Sequence, residues 1–367
     1  MTPVARAFAL TSLATTAAHT ATTTPWTRVG GSVRVSVDTE SFAYSASLGG
    51  SGNGFGCAGF ADGGVAFRCR GVHYTHGTLQ PGDATLVLSG SPREGSGADS
   101  LGEYDSIGAD WQGGSSVACA LHTEIRYYPA TASFVFVADF SEDGVPGTNA
   151  TAPLTTRGPA DDPGLSTAFP TWSTGTMGSE CEYYSYQGNS LGGNWRAGPL
   201  SAWTGGLQAG PLLLYAANST EFHPAAMLIS ALTHAKAMIG SPGDKAVPSV
   251  SFGVQGYVEE LPPSFTSAVI LVGRAGIAAT QLAWGEAVRR NAGTNRLTLD
   301  KDILNSKVTY WTDNGACAPN RCTAVSRATF CLCIILSQSL HVRVCRLLLL
   351  QYVRQHARQT CPNAHYD

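Results

Sequence analysis

Residues 28–273 are written in short apolar runs of period two, each cut off within a few positions by Gly, Pro or Asn. Ser32-Val33-Arg34-Val35-Ser36-Val37 alternates strictly, and parts of 64–69 and 84–88 do the same. Successive side chains on a strand point to opposite faces, so this pattern describes strands with one buried face. Glu124-Ile125-Arg126-Tyr127-Tyr128 and Ser133-Phe134-Val135-Phe136-Val137-Ala138 flank Pro129-Ala130-Thr131, which predicts a hairpin. Further runs fall at 211–215, 226–230, 251–258 and 268–272. No strand–helix alternation occurs in this stretch, which disfavours a doubly wound parallel sheet. Many short strands separated by turn residues predict a sandwich or barrel, and about 250 residues of them call for two broad stacked sheets.

One helix pattern follows, over 276–291. It carries Ile277, Leu282, Trp284, Ala287 and Val288, Arg289 and Arg290 in the last turn, and Gly293 just beyond as a stop. Lys307-Val308-Thr309-Tyr310-Trp311 is a further strand pattern, ending in Thr312-Asp313-Asn314-Gly315. The expected fold is therefore mainly β: a large antiparallel β-supersandwich with one C-terminal helix, then an irregular or helical tail, and no complete TIM barrel. The expected divisions are a signal peptide at 1–21, the sandwich at 28–273, and a helix with its connector at 274–306. A lone strand at 307–316 and a Cys-rich tail at 317–367 complete the chain.

Charged residues make up only 13% of the chain and the formal net charge is -3, so there is no electrostatic footprint for nucleic acid. No apolar run reaches the length of a membrane span. At the N-terminus, Arg6, the apolar stretch 7–14 and the small residues Thr16-Ala17-Ala18 read as a secretory signal. The chain is thus expected outside the cell or in the endomembrane lumen. Asn149-Ala150-Thr151 and Asn218-Ser219-Thr220 are then glycosylation candidates at Asn149 and Asn218. In that compartment Cys57, Cys69, Cys119 and Cys181 have three possible pairings into two disulfides, and Cys57 with Cys69 would close a short loop. The alternative is four buried thiols.

Several segments together resemble the N-terminal part of a eukaryotic family of glycoside-hydrolase-like proteins. They are Ser251-Phe252-Gly253-Val254-Gln255-Gly256, Glu260-Leu261-Pro262-Pro263, Gly276-Ile277, Ala283-Trp284-Gly285 and Tyr310-Trp311-Thr312-Asp313-Asn314-Gly315-Ala316. Asp99-Ser100-Leu101-Gly102-Glu103-Tyr104 is a weaker echo, as are Gly210-Pro211-Leu212-Leu213-Leu214-Tyr215 and residues 169–175. In that family a galactose-mutarotase-like β-supersandwich precedes an α-galactosidase-like TIM barrel. The resemblance implies that Tyr310-Trp311 ends the first barrel strand. Asp313 then accepts hydrogen bonds from sugar hydroxyls, and Trp311 stacks on the pyranose. Read without the resemblance, Asp313-Asn314-Gly315 is a tight turn.

The match stops after Ala316. All 42 glycines lie at or before Gly315, and six of the ten cysteines lie beyond it, at Cys317, Cys322, Cys331, Cys333, Cys345 and Cys361. Only 56 residues follow Trp311, whereas a (β/α)₈ barrel needs roughly 200. Retaining hydrolysis also needs two carboxyl groups about 5 to 5.5 Å apart, and beyond Asp313 the only acid is Asp367. The expectation is a truncated or mispredicted gene product that lacks turnover. It would be an accessory, carbohydrate-active sandwich whose catalytic residues lie in the missing barrel. The alternative is a non-catalytic secreted sandwich that binds glycans or another protein. No cofactor is implied, and the tail cysteines fit no standard zinc spacing, so no metal is expected.

Two smaller patterns complete the reading. Glu180-Cys181-Glu182-Tyr183-Tyr184-Ser185-Tyr186 interleaves acids and aromatics, either as a sugar-contact strand or as an ordinary solvated strand face. His122, His223 and His234 stand apart from any nucleophile motif.

Overall fold

The structure is a computed structural model. It describes residues 24–49, 59–77, 84–148, 164–174, 181–187, 194–206, 210–216, 224–242, 249–298 and 300–301. Trp311, Asp313, Asn149, Asn218, the leader at 1–21 and the Cys-rich tail lie outside the described residues. The chain divides into two compact units, Met1–Asn295 and Arg296–Asp367, and every element below belongs to the first.

The strands are β1 (Trp26–Gly30), β2 (Val33–Val37), β3 (Tyr44–Leu48), β4 (Phe60–Cys69), β5 (Val72–His76), β6 (Ala84–Leu88) and β7 (Arg93–Asp99). They continue with β8 (Gly102–Gly113), β9 (Ala120–Tyr128), β10 (Ser133–Phe140), β11 (Val145–Pro146), β12 (Thr167–Ser173), β13 (Cys181–Gln187) and β14 (Asn194–Pro199). The rest are β15 (Leu212–Ala216), β16 (Ala225–Ala231), β17 (Met238–Pro242), β18 (Ser249–Val254), β19 (Glu260–Leu261) and β20 (Thr266–Ala275). The helix α1 spans Ile277–Asn291.

One broad antiparallel layer runs β14-β13-β15-β16-β20-β10-β9-β8. The free edge of β8 is shared by β7 along its first half and β6 along its second. The other layer runs β1-β2-β3-β4 and then β12-β18-β17, with β5 beside the end of β4. The layers are linked by a two-pair parallel bridge between β5 and β6. Among the described residues there is no closed barrel. The architecture is the expected mainly-β one with a single helix, and the hairpin around residues 129–131 pairs Tyr128 with Ser133.

The alternation in the sequence becomes the core. Val33, Val35 and Val37 of β2 are fully buried. Between the layers, Trp172 stacks on Phe60 with ring centroids 4.7 Å apart, and Phe136 and Tyr44 meet it edge-on at 5.3 and 5.9 Å. Aromatic pairs prefer these stacked and edge-to-face arrangements. The Tyr44 hydroxyl donates to the Gly64 carbonyl at 2.5 Å and accepts the Thr171 N–H at 3.0 Å. Burial pushes its phenol far above the ordinary range.

β10 and β20 are buried on both faces, so they read as continuous apolar runs. Their second face is covered by α1. Val135, Val137, Ala268, Ile270 and Val272 form one cluster with Ala287 of the helix and Leu101 of the β7–β8 turn. Gly276 precedes the helix with φ 95° and Gly293 follows it with φ 62°, conformations that glycine adopts without a Cβ penalty. Thr280 is buried, and its hydroxyl donates to the Gly276 carbonyl at 2.9 Å.

Among the cysteines, Cys69 at the end of β4 bonds to Cys119 before β9, not to Cys57. Cys181 is disulfide-bonded as well.

Candidate functional site

β13 sorts its side chains by parity. Cys181, Tyr183 and Ser185 are buried between the layers, which leaves Glu182, Tyr184 and Tyr186 on the outer face. β14 pairs with β13 alone among the described strands and sets Trp195 directly opposite Tyr186. On the other side, β15 sets Leu213 opposite Tyr184 and Tyr215 opposite Glu182. Directly opposed residues of an antiparallel pair share a face, so three strands gather one acid, three tyrosines and a tryptophan on one surface.

The rings are organised. Trp195 stacks on Tyr184 with centroids 4.9 Å apart and planes 14° from parallel, while Tyr186 meets Trp195 at 5.9 Å and 73°. Trp195 is still 49% exposed, so much of its indole surface is available to a ligand. Leu213, Ala226 and Leu228 form the floor, against which Tyr184, Tyr215, Ile277 and Trp284 pack. Thus α1 borders the aromatic strip on its far side.

The Tyr215 hydroxyl donates to Glu182 Oε2 at 2.8 Å. Burial, reinforced by this bond and by the carboxylate charge, pushes the Tyr215 phenol up to about 12. Tyr215 therefore stays protonated and keeps donating at ordinary pH. Arg196, next to Trp195, exerts its charge on Tyr183, which belongs to the buried parity of β13. The residues paired across this face from Glu182 to Leu228 include no Lys or Arg; in the next strand Arg274 stands opposite Ala226 and bonds the Ala132, Gly273 and Thr131 carbonyls. The surface can stack a flat or half-apolar ring and accept hydrogen bonds at its margin.

The acid–aromatic spacing of β13 is legible in the sequence, and the structure places Glu182, Tyr184 and Tyr186 together on a half-buried outer face that fits a sugar-contact strand and a solvated strand face alike. Trp195 and Tyr215 lie outside that spacing. Trp195 lies in a polar, glycine-flanked stretch, Gly192-Gly193-Asn194-Trp195-Arg196, whose one signal is a large aromatic with no apolar neighbours. Glu180 lies outside the described residues.

Other polar groups serve the fold. Tyr128 donates to Asp99 Oδ2 at 2.6 Å, and Arg126 bonds Glu124 at 2.6 Å and lies 4.7 Å over the Tyr104 ring. Asp99 also accepts the Leu101 N–H at 2.8 Å, and Ser100 meets Asn291 of α1 at 3.3 Å, so this group clamps the helix end. His122 contacts Asp110 at 2.7 Å, and His234 contacts the Thr266 carbonyl at 3.1 Å. Among the described residues, no group of three or more His, Cys, Asp or Glu side chains is placed to hold a metal, and no helix is long and apolar enough to cross a membrane.

No protein-family model matches the sequence, and neither does any curated protein. Solved structures similar to this chain include the GH36 alpha-galactosidase AgaA from Geobacillus stearothermophilus. It is 11% identical, with a TM-score of 0.42, over 69% of this chain and 41% of that one. An alpha-galactosidase from Lactobacillus brevis is 9% identical with a TM-score of 0.43, over 72% of this chain and 42% of that one. The alpha-N-acetylgalactosaminidase NagBb from Bifidobacterium bifidum, in complex with Gal-NHAc-DNJ, is 10% identical with a TM-score of 0.43, over 76% of this chain and 40% of that one. The chain spans about two-fifths of the length of these structures.

Proposed function

We propose that this chain is the accessory sandwich of a glycoside-hydrolase-like protein, and that it binds carbohydrate without cleaving it. The sugar rests on the face built by Glu182, Tyr184, Tyr186, Trp195 and Tyr215. The observation that supports this best is Trp195, half-exposed yet already stacked on Tyr184. A pyranose carries an apolar C–H face that an indole covers well, and its hydroxyls need acceptors of the kind Glu182 offers. Aromatic residues with a polar handle suit such half-apolar ligands. Pre-stacking also fixes the indole before the ligand arrives, which lowers the ordering cost of binding.

Cleavage is assigned elsewhere because glycosidic hydrolysis uses a pair of carboxyl groups. The described face pairs Glu182 with a tyrosine and not with a second acid. In the full-length relative, Asp313 and Trp311 remain the proposed sugar contacts at the end of the first barrel strand. Secretion is part of the proposal. The Cys69–Cys119 bond supports it, since stable disulfides belong mainly to oxidising compartments.

The test is a glycan array and titration calorimetry on the full chain, wild type against Trp195→Ala. Binding of neutral oligosaccharides that falls at least tenfold in the variant is the expected result. Unchanged binding in Trp195→Ala removes the reading. So does measurable turnover of aryl galactosides or glucosides that disappears in Asp313→Ala.

A further inference from the structure

We propose, resting on the reading that this face binds sugar, that Glu182 positioned by Tyr215 is the specificity-determining group of the platform. It anchors a hydroxyl at the rim of the stacked ring and restricts the site to neutral pyranoses, rejecting uronic acids and sulfated sugars.

Three observations carry this. Glu182 Oε2 takes the Tyr215 hydroxyl, while Oε1 has no hydrogen-bond partner among the described residues. A carboxylate accepts through both oxygens, so one is fixed and the other remains to accept from a ligand. Glu182 sits two residues from Tyr184 on the same face of β13, about 7 Å along the strand. A pyranose lying over the Tyr184–Trp195 stack projects its equatorial hydroxyls sideways, across that spacing. Finally, the residues of β13, β14 and β15 that share this face include no cation, and Arg274, opposite Ala226 of the floor, gives its guanidinium to the Ala132, Gly273 and Thr131 carbonyls. Among the described residues, the β13–β15 part of this face therefore carries one carboxylate with no cation paired to it. An anionic sugar brought there meets like-charge repulsion, which suppresses wrong partners more effectively than it strengthens right ones.

Tyr215 acts through Glu182 and is a positioning residue. Without its hydroxyl the carboxylate regains rotamer freedom, and the anchor loosens while the charge stays.

The experiment compares matched neutral oligosaccharides, of gluco- and galacto-configuration, with their C6-oxidised uronic-acid counterparts. Affinities are measured for the full-length wild type, Glu182→Gln, Tyr215→Phe and Trp195→Ala, with thermal unfolding to confirm that each variant is folded. Wild type is expected to favour the neutral partner by on the order of tenfold at low salt, with the ratio shrinking as salt screens the charge. Glu182→Gln should bring the ratio to about one and abolish its salt dependence. Tyr215→Phe should weaken neutral-sugar binding by a few-fold, roughly the value of one hydrogen bond, yet keep the salt-dependent rejection of uronates. A wild-type chain that binds uronates as well as neutral sugars overturns the inference. So does a Glu182→Gln chain that keeps full selectivity. In either case, loss of binding in Trp195→Ala would leave the broader reading standing. No glycan binding by the wild type, or unchanged binding in Trp195→Ala, ends both.

Discussion

Tyr215 on β15 reaches across one strand pairing and donates its hydroxyl to Glu182 on β13 at 2.8 Å, tying the acid of the aromatic face to the sheet beneath it. The two are directly opposed in the register, so the bond spans a single strand pairing. Burial of Tyr215, reinforced by this bond and by the Glu182 charge, also couples the platform to alkaline pH. The folded-state phenol is pushed up to about 12, above the ordinary tyrosine value near 10. A group whose folded pKa is raised stabilises fully below its unfolded pKa and loses that contribution as pH climbs through the folded one. Wild type should therefore lose stability between about pH 10 and 12, and Tyr215→Phe should lose less over the same window. Urea unfolding of both proteins at several pH values measures the difference, which cancels the titration of other buried tyrosines. Parallel curves would count against a raised phenol pKa in the folded protein.

Trp195 contributes to stability as well as to binding. Its stack on Tyr184 is worth about 1 kcal/mol beyond area burial, the usual scale for such pairs. Trp195→Ala should lower the unfolding free energy by about 2 to 4 kcal/mol, because the buried half of the indole adds its area term to the stack. Denaturant unfolding checks this. A loss above about 5 kcal/mol, beyond the scale of a fully buried tryptophan, would mean that the ring is a structural keystone and not a ligand surface.

The Cys69–Cys119 bond closes a separation of 50 residues that includes β5 through β8. Restricting a loop of that length in the unfolded chain is worth about 4 kcal/mol on the chain-entropy model. The double variant Cys69→Ala/Cys119→Ala should lose stability on this scale, with a correspondingly lower melting temperature. Using the variant in place of a reductant leaves the bond at Cys181 intact, so the effect is attributable to one bridge.

Legibility in the sequence follows burial. β2, β10, β16 and β20 were readable because one or both faces are buried, which selects Val, Ile, Leu and Phe at fixed period. β7, Arg-Glu-Gly-Ser-Gly-Ala-Asp, was not, because nearly all its residues are exposed and only its pairing to β8 makes it a strand. Strand preference is a matter of packing context, and an exposed edge supplies almost none. The helix was readable from Gly276, Gly293 and the spacing of its apolar residues. The candidate site was half-readable. Local parity puts Glu182, Tyr184 and Tyr186 on one face, whereas Trp195 and Tyr215 join them only through pairings that no local pattern encodes.

Two glycines make opposite predictions from the same substitution. Gly253 lies in β18, inside Ser251-Phe252-Gly253-Val254-Gln255-Gly256, where a Cβ would run directly into the Thr167 carbonyl of β12. That close approach is held by the Val254 N–H to the Thr167 hydroxyl at 2.9 Å and by the Ser166 N–H to the Val254 carbonyl at 2.8 Å. The blocking atom is backbone and cannot rotate away, so Gly253→Ala must part the two strands. A loss of more than about 3 kcal/mol is expected, on the scale of severe core overpacking. Gly285 lies within α1, and the nearest atom to its Cβ would be the Arg289 guanidinium at 3.6 Å, an ordinary contact. There alanine removes the entropic cost of a helical glycine, and Gly285→Ala should stabilise the chain by about 0.5 to 1 kcal/mol. Thermal and urea unfolding of the two variants should bracket the wild type, with Gly253→Ala below and Gly285→Ala above. A Gly253→Ala chain as stable as wild type would show that β12 and β18 do not approach as closely as their hydrogen bonds require.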